Sequence, residues 1–118
     1  MTITDDVRGA LARMKPRVAL YVGGMGHRDK NFHKDMMLRR GFGDAAQKIQ
    51  ELFLAKRKDE AVAAVPDEFC DEMALVGPVA RIRERYRAWA DSGITGLTIS
   101  TEQTQAMELM ASLAGAVR

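Results

Sequence analysis

Leu75-Val76-Gly77-Pro78-Val79-Ala80-Arg81-Ile82-Arg83-Glu84-Arg85-Tyr86-Arg87-Ala88-Trp89 is the stretch on which the fold turns. Its first residues, with Ala74, read as a short apolar strand, and Gly77-Pro78 then turns the chain. Beyond the turn, Val79, Ile82, Tyr86 and Trp89 recur at spacings of 3, 4 and 3, with arginines and Glu84 between them. That is the period of an amphipathic helix. Gly93 closes it. Thr95-Gly96-Leu97-Thr98-Ile99-Ser100 alternates and is β-branched, which predicts a second strand. Ser100-Thr101-Glu102-Gln103 has the form of a capping box. It would open a last helix that turns Ala106, Leu109, Met110, Leu113 and Val117 inward. Strand, turn, helix, strand and helix make a βαβα unit over residues 74–118, whose strands run parallel.

Upstream, residues 1–73 read as helix upon helix. Thr4 before Asp5 and Asp6 is a helix start, a cap oxygen followed by acids in the first turn. Val7, Leu11, Met14, Val18, Val22 and Met25 then keep a helical period across Pro16, which kinks or breaks the run. A buried strand over Val18–Val22 is the competing reading of the same residues. Gly23, Gly24 and Gly26 end this element in either case. Asp29–Arg40 predicts a helix with Phe32, Met36 and Met37 on one face. The next helix sets Ala45, Ala46, Ile49, Leu52 and Phe53 in a stripe, with Lys48, Gln50 and Glu51 off it. Lys56–Glu60 opens a short helix through Val65. Pro66-Asp67-Glu68 starts another, in which Phe69 and Met73 stack.

The 118 residues suffice for one domain at most. Eighteen Lys and Arg stand against 16 Asp and Glu, with the two signs interspersed, so no basic block marks a nucleic-acid surface. No apolar run approaches the ~20 residues of a membrane span, and the first residues lack the pattern of a signal peptide. A single cysteine, Cys70, excludes a disulfide framework and fits a reducing cytoplasm.

Most chemistry-bearing residues have a structural reading. His27 and His33 are spaced unlike ligands on one helix face and predict a surface pair. Cys70 has no neighbour that would activate it and predicts a packed thiol. Gly23-Gly24-Met25-Gly26 lacks the Lys-Ser/Thr of a phosphate loop. The arginines between Arg81 and Arg87 fill the outer face of a helix, and the eight methionines follow helical stripes. No catalytic residue and no metal ligand is predicted. The one candidate site is the backbone at Gly77, Val79 and Ala80, where a strand ends and free helix N–H groups point outward to form an anion site. The same residues serve equally as a tight turn without a ligand.

Val18-Ala19-Leu20-Tyr21-Val22-Gly23-Gly24-Met25-Gly26 followed by Lys30-Asn31-Phe32 resembles the luciferase-like monooxygenase class of oxidoreductases that use coenzyme F-420. So do Ile49-Gln50-Glu51-Leu52-Phe53, Arg57-Lys58-Asp59-Glu60-Ala61 and Val65-Pro66-Asp67-Glu68. The strongest match is Leu75-Val76-Gly77-Pro78 through Tyr86 to Gly93-Ile94-Thr95-Gly96-Leu97, and the branch it resembles is that related to methylene-tetrahydromethanopterin reductases. The resemblance implies an eight-stranded β/α barrel that passes hydride between a deazaflavin, or FMN, and a small-molecule substrate. This chain would be its C-terminal third. Residues 1–4 would enter at the end of the sixth strand, the helices before residue 74 would include an insertion, and Ala74–Val76 and Gly96–Ser100 would be the last two strands. Such a barrel takes ~250 residues. The chain by itself is thus expected to be mostly α-helical with two short parallel strands, and to bind neither cofactor tightly. Its partner would be the remainder of the barrel, or a second copy of itself. A helical interaction module derived from such an enzyme is the alternative.

Overall fold

The computed structural model describes residues 1–116. Two short parallel strands are set among helices, in the order β1 (Thr2–Ile3), α1 (Val7–Ala12), α2 (Lys15–Gly24), α3 (Phe32–Arg39), α4 (Gly43–Leu54), α5 (Lys58–Ala63), α6 (Asp67–Glu72), β2 (Val76–Gly77), α7 (Val79–Ala90) and α8 (Thr104–Leu113). The chain divides into two compact units, one of Met1–Ala10 with Ala74 onward, the other of Leu11–Met73. The first ten residues, grouped by sequence with the helical segment 1–73, therefore pack with the last part of the chain. Strand pairing is the reason.

In that unit β1 runs parallel to β2, with Thr2 opposite Val76 and Ile3 opposite Gly77. The Thr2 N–H donates to the Leu75 carbonyl at 2.9 Å and the Thr4 N–H to the Gly77 carbonyl at 3.1 Å. Leu75, Ile82, Leu109 and Met110 form the buried core, and Val79, Tyr86, Trp89, Ile99 and Leu113 pack half-buried against it. The helical register predicted over Val79–Trp89 is the one observed, with Ile82 at its centre.

The strand predicted over Gly96–Ser100 does not form. β2 pairs with β1 instead, and the outer edge of β1 is already satisfied. There the Ile3 N–H donates to Gln103 Oε1 at 2.7 Å, and Gln103 Nε2 donates to the Ile3 carbonyl at 3.0 Å. The terminal unit is thus not βαβα. The capping box fails for the same reason, because the glutamine that would complete it reaches Ile3. The helix α8 starts at Thr104 with Gln103 at its N-cap and no side-chain cap. Val117 lies outside the described residues.

In the unit Leu11–Met73, Pro16 breaks the helical run rather than bending it. A turn at Arg13–Met14 separates α1 from α2, and Pro16 occupies the first turn of α2, where its missing N–H is not needed. Val18, Ala19 and Val22 are buried on α2, so the helical reading of these residues holds over the strand. Gly23 and Gly24 lie inside the helix, not beyond it. They admit Phe53, whose Cβ would stand 2.5 Å from a β-carbon placed on Gly23.

Two positions depart from the predicted faces. Phe32 is 67% exposed while Met37 is wholly buried, since five residues along a helix carry a side chain well away from the first. Gln50, assigned to the outer side of α4, is 3% exposed. Its amide is satisfied there. It donates to the Arg28 carbonyl at 3.0 Å and accepts from Lys34 Nζ at 2.7 Å. Asn31 is the other buried polar side chain, capping α3 through the Lys34 N–H at 3.0 Å and donating to the Val22 carbonyl at 2.9 Å.

Candidate functional site

The carboxyl ends of β1 and β2 are where a parallel sheet offers a ligand site. At the end of β1 the Thr4 hydroxyl accepts from the Asp6 N–H at 3.0 Å, and Asp6 Oδ1 accepts from the Gly9 N–H at 2.9 Å. The cap of α1 is therefore Asp6, two residues after the Thr4 that the sequence predicts. Both residues are occupied in starting a helix.

At the end of β2, Gly77 adopts φ +132°, a conformation open to glycine alone. Pro78 then stands at the N-cap of α7 and makes no side-chain cap bond. Val79 and Ala80 follow in the first turn, where helix N–H groups have no intrahelical acceptor. Arg81 folds back across this turn. Its Nη1 donates to the Val76 carbonyl, and its Cδ lies where a β-carbon on Gly77 would stand 2.8 Å away. The structure thus brings a guanidinium to the same strand end as the predicted backbone donors. Helical spacing alone assigns Arg81 to the outer helix face. The signal for its return was its place four residues after the glycine, the only residue type that leaves room for it.

The remaining candidates take structural roles. His27 is exposed and stands 3.8 Å from Asp29, while His33 stacks edge-on against Tyr21 at 4.6 Å and Phe32 at 5.6 Å. Among the described residues no group of three or more His, Cys, Asp or Glu is placed to hold a metal. Cys70 is buried on α6, and burial pushes its thiol pKa up; Lys15 opposes that shift and Asp67 adds to it. Lys15 and Asp67 themselves pair at 2.5 Å. A cleft of about 300 Å³ is lined by Arg28, Gln50, Glu51, Leu54 and Ala55. Its buried amide is committed to Arg28 and Lys34, so it pins the loop before α3. Among the described residues no helix is long and apolar enough to cross a membrane.

Comparison with known proteins gives two matches. The sequence pattern of the family described as luciferase-like monooxygenase fits residues 1–96. A protein of Mycobacterium tuberculosis named as a coenzyme F-420-dependent oxidoreductase is 35% identical over 113 residues, which cover 96% of this chain and 33% of the relative. The chain spans about a third of the length of that curated relative. No solved structure matches the chain.

Proposed function

This chain belongs to the luciferase-like monooxygenase family, and from that premise we propose that it is the carboxyl-terminal portion of a barrel oxidoreductase. The whole enzyme would transfer hydride between coenzyme F-420, with FMN as the other possibility, and a small-molecule substrate in the cytoplasm. The observation that carries this reading is the parallel pair β1–β2, with α7 leaving the carboxyl end of β2 through Gly77-Pro78. That is the βα step from which such barrels are built.

The residues present fit one part of such a cofactor. Both cofactors carry a phosphate, and the turn at Gly77, Val79 and Ala80 offers backbone donors at a helix start beside the Arg81 guanidinium. The cofactor supplies the hydride chemistry when bound. This chain's share is to orient an anionic group, to close the barrel wall and to contribute its helices, with those of Leu11–Met73 including an insertion. No residue of this chain is assigned to catalysis.

A spectroscopic titration of the full chain with coenzyme F-420 and with FMN tests the partial-site reading. Absence of tight binding to either is expected, and a low-micromolar dissociation constant would overturn it. An in-frame continuation encoding the earlier strands, in the DNA upstream of Met1, would support the barrel assignment.

The second reading is a helical interaction module derived from such an enzyme. It is favoured by the core that Leu11–Met73 buries for itself, with Ala19, Met37, Ala46, Ile49, Phe69 and Cys70 all at 1% exposure or less.

A further inference from the structure

Ile3 directs both its N–H and its carbonyl away from β2, because Thr2 and Thr4 are the residues whose N–H groups reach β2. A neighbouring parallel strand would ordinarily engage that outward pair. The Gln103 side-chain amide engages both groups instead, at 2.7 and 3.0 Å. A primary amide carries the same donor and acceptor as a peptide group, so Gln103 stands in for one residue of a strand. Its position has a topological meaning. In a closed parallel barrel the strands follow chain order, so the segment after α7 belongs beside β2, on the side away from β1. Ser100–Gln103 lies on the far edge of β1, where the preceding strand of a barrel would run. The segment before it, 96–100, forms no strand, and its last residue, Ser100, accepts at its carbonyl from the Met1 amino group at 2.6 Å, just before β1.

We propose that the outer edge of β1 is a docking site for an extended parallel strand from the preceding part of a family barrel, and that Gln103 is a removable plug that holds this edge closed. The occupant rests on the reading of the chain as a barrel's carboxyl-terminal portion, and is supported by a relative of which this chain covers only 33%. On docking, Gln103 leaves Ile3, and residues 96–100 become free to move to the outer edge of β2, where the Val76 carbonyl is held by Arg81 until a strand replaces it.

Gln103→Ala and Gln103→Glu in the full chain test the plug. The first readout needs no partner. Hydrogen exchange at the Ile3 amide is expected to quicken about tenfold in Gln103→Ala, the worth of one to two hydrogen bonds. Gln103→Glu should stay close to the unsubstituted chain, since its carboxylate still accepts from that N–H. Unchanged exchange in Gln103→Ala, with helix content retained, overturns the plug. The second readout is association with a polypeptide comprising the portion of the Mycobacterium tuberculosis relative that this chain does not cover. Gln103→Ala is expected to bind it about tenfold more tightly than the unsubstituted chain, having no plug to displace. Binding of equal strength overturns the plug and leaves the barrel reading standing. Quickened exchange without binding by either chain overturns the occupant and the barrel reading together. Dimerisation of Gln103→Ala in place of binding makes a second copy the occupant and overturns the one proposed.

Discussion

Gly23 lies beneath Phe53, so that a β-carbon built on Gly23 would stand 2.5 Å from Phe53 Cβ and 2.7 Å from its Cγ. Helix α2 approaches α4 at that point because one side chain is missing. In an unhindered helix interior, alanine is favoured over glycine by about 1 kcal/mol. Here overpacking, at about 1–3 kcal/mol, acts against it. Gly24 gives the cleaner test, because an added β-carbon there would meet only the Phe53 ring, with Cε1 2.5 Å away. Gly24→Ala is expected to destabilise the chain in urea unfolding, whereas the same change in a Phe53→Ala background, which removes the ring, should stabilise it. A sign that stays the same in both backgrounds would remove the contact from the account.

Ile82 and Trp89 share a helix face but not a degree of burial. Ile82 is wholly buried and Trp89 half-buried at the rim of the same core. Ile82→Ala should cost about 2–5 kcal/mol, and Trp89→Ala about half of the ~3–5 kcal/mol usual for a buried tryptophan. Midpoints of denaturant unfolding give both values. A larger loss at Trp89 than at Ile82 would contradict the packing.

Asn31 joins the end of α2 to the start of α3. Its oxygen accepts from the Lys34 N–H, while its Nδ2 donates to the Val22 carbonyl at 2.9 Å and the Tyr21 carbonyl at 3.2 Å. Asn31→Ala loses a cap and leaves a buried carbonyl short of a donor, for a total of about 2–3 kcal/mol. Asn31→Asp keeps the cap and loses only the donor, so it should fall between the two in thermal stability.

Cys70 links stability to alkaline pH. Burial raises its folded-state pKa above that of the unfolded thiol, so the folded chain holds the proton more firmly. The stabilisation is full below the unfolded thiol pKa of ~8.5, and falls by up to ~1.4 kcal/mol per pH unit above it. Unfolding midpoints measured between neutral pH and the alkaline side should show that slope, and Cys70→Ala should lack it. Alkylation of Cys70 by iodoacetamide should be slow until the chain is unfolded.

The sequence disclosed those features that repeat along the chain. The helix of Val79–Ala90 was legible because its apolar residues recur within one element, and Ile82 fell at the centre of that pattern. The start of α7 at Val79 was legible because a glycine and a proline mark the turn before it. What stayed hidden depended on partners remote in the chain. Thr2–Ile3 is too short a strand to show alternation, and only β2 makes it one. Residues 96–100 showed alternation clearly, but that pattern cannot supply a neighbouring strand, and none forms there. Gly23 and Gly24 read as helix terminators because nothing near them in sequence announces Phe53. Arg81 read as a solvent-facing side chain because helical spacing does not reveal the space above Gly77.

The bond between Ile3 and Gln103 joins residues 100 apart in the chain, and the strand pair joins Thr2 to Val76. In Leu11–Met73, by contrast, the helices pack on others within the same stretch, α2 on α3, α4 and α5, α3 on α4, and α4 on α5. Contacts of short range form early, and long loops add closure entropy that delays the rest. The helical unit should therefore collapse first in a refolding experiment, with its thiol protected while the strand pair is still open. Ile3 has to wait for Gln103, and until then its edge is available to any extended chain that comes by.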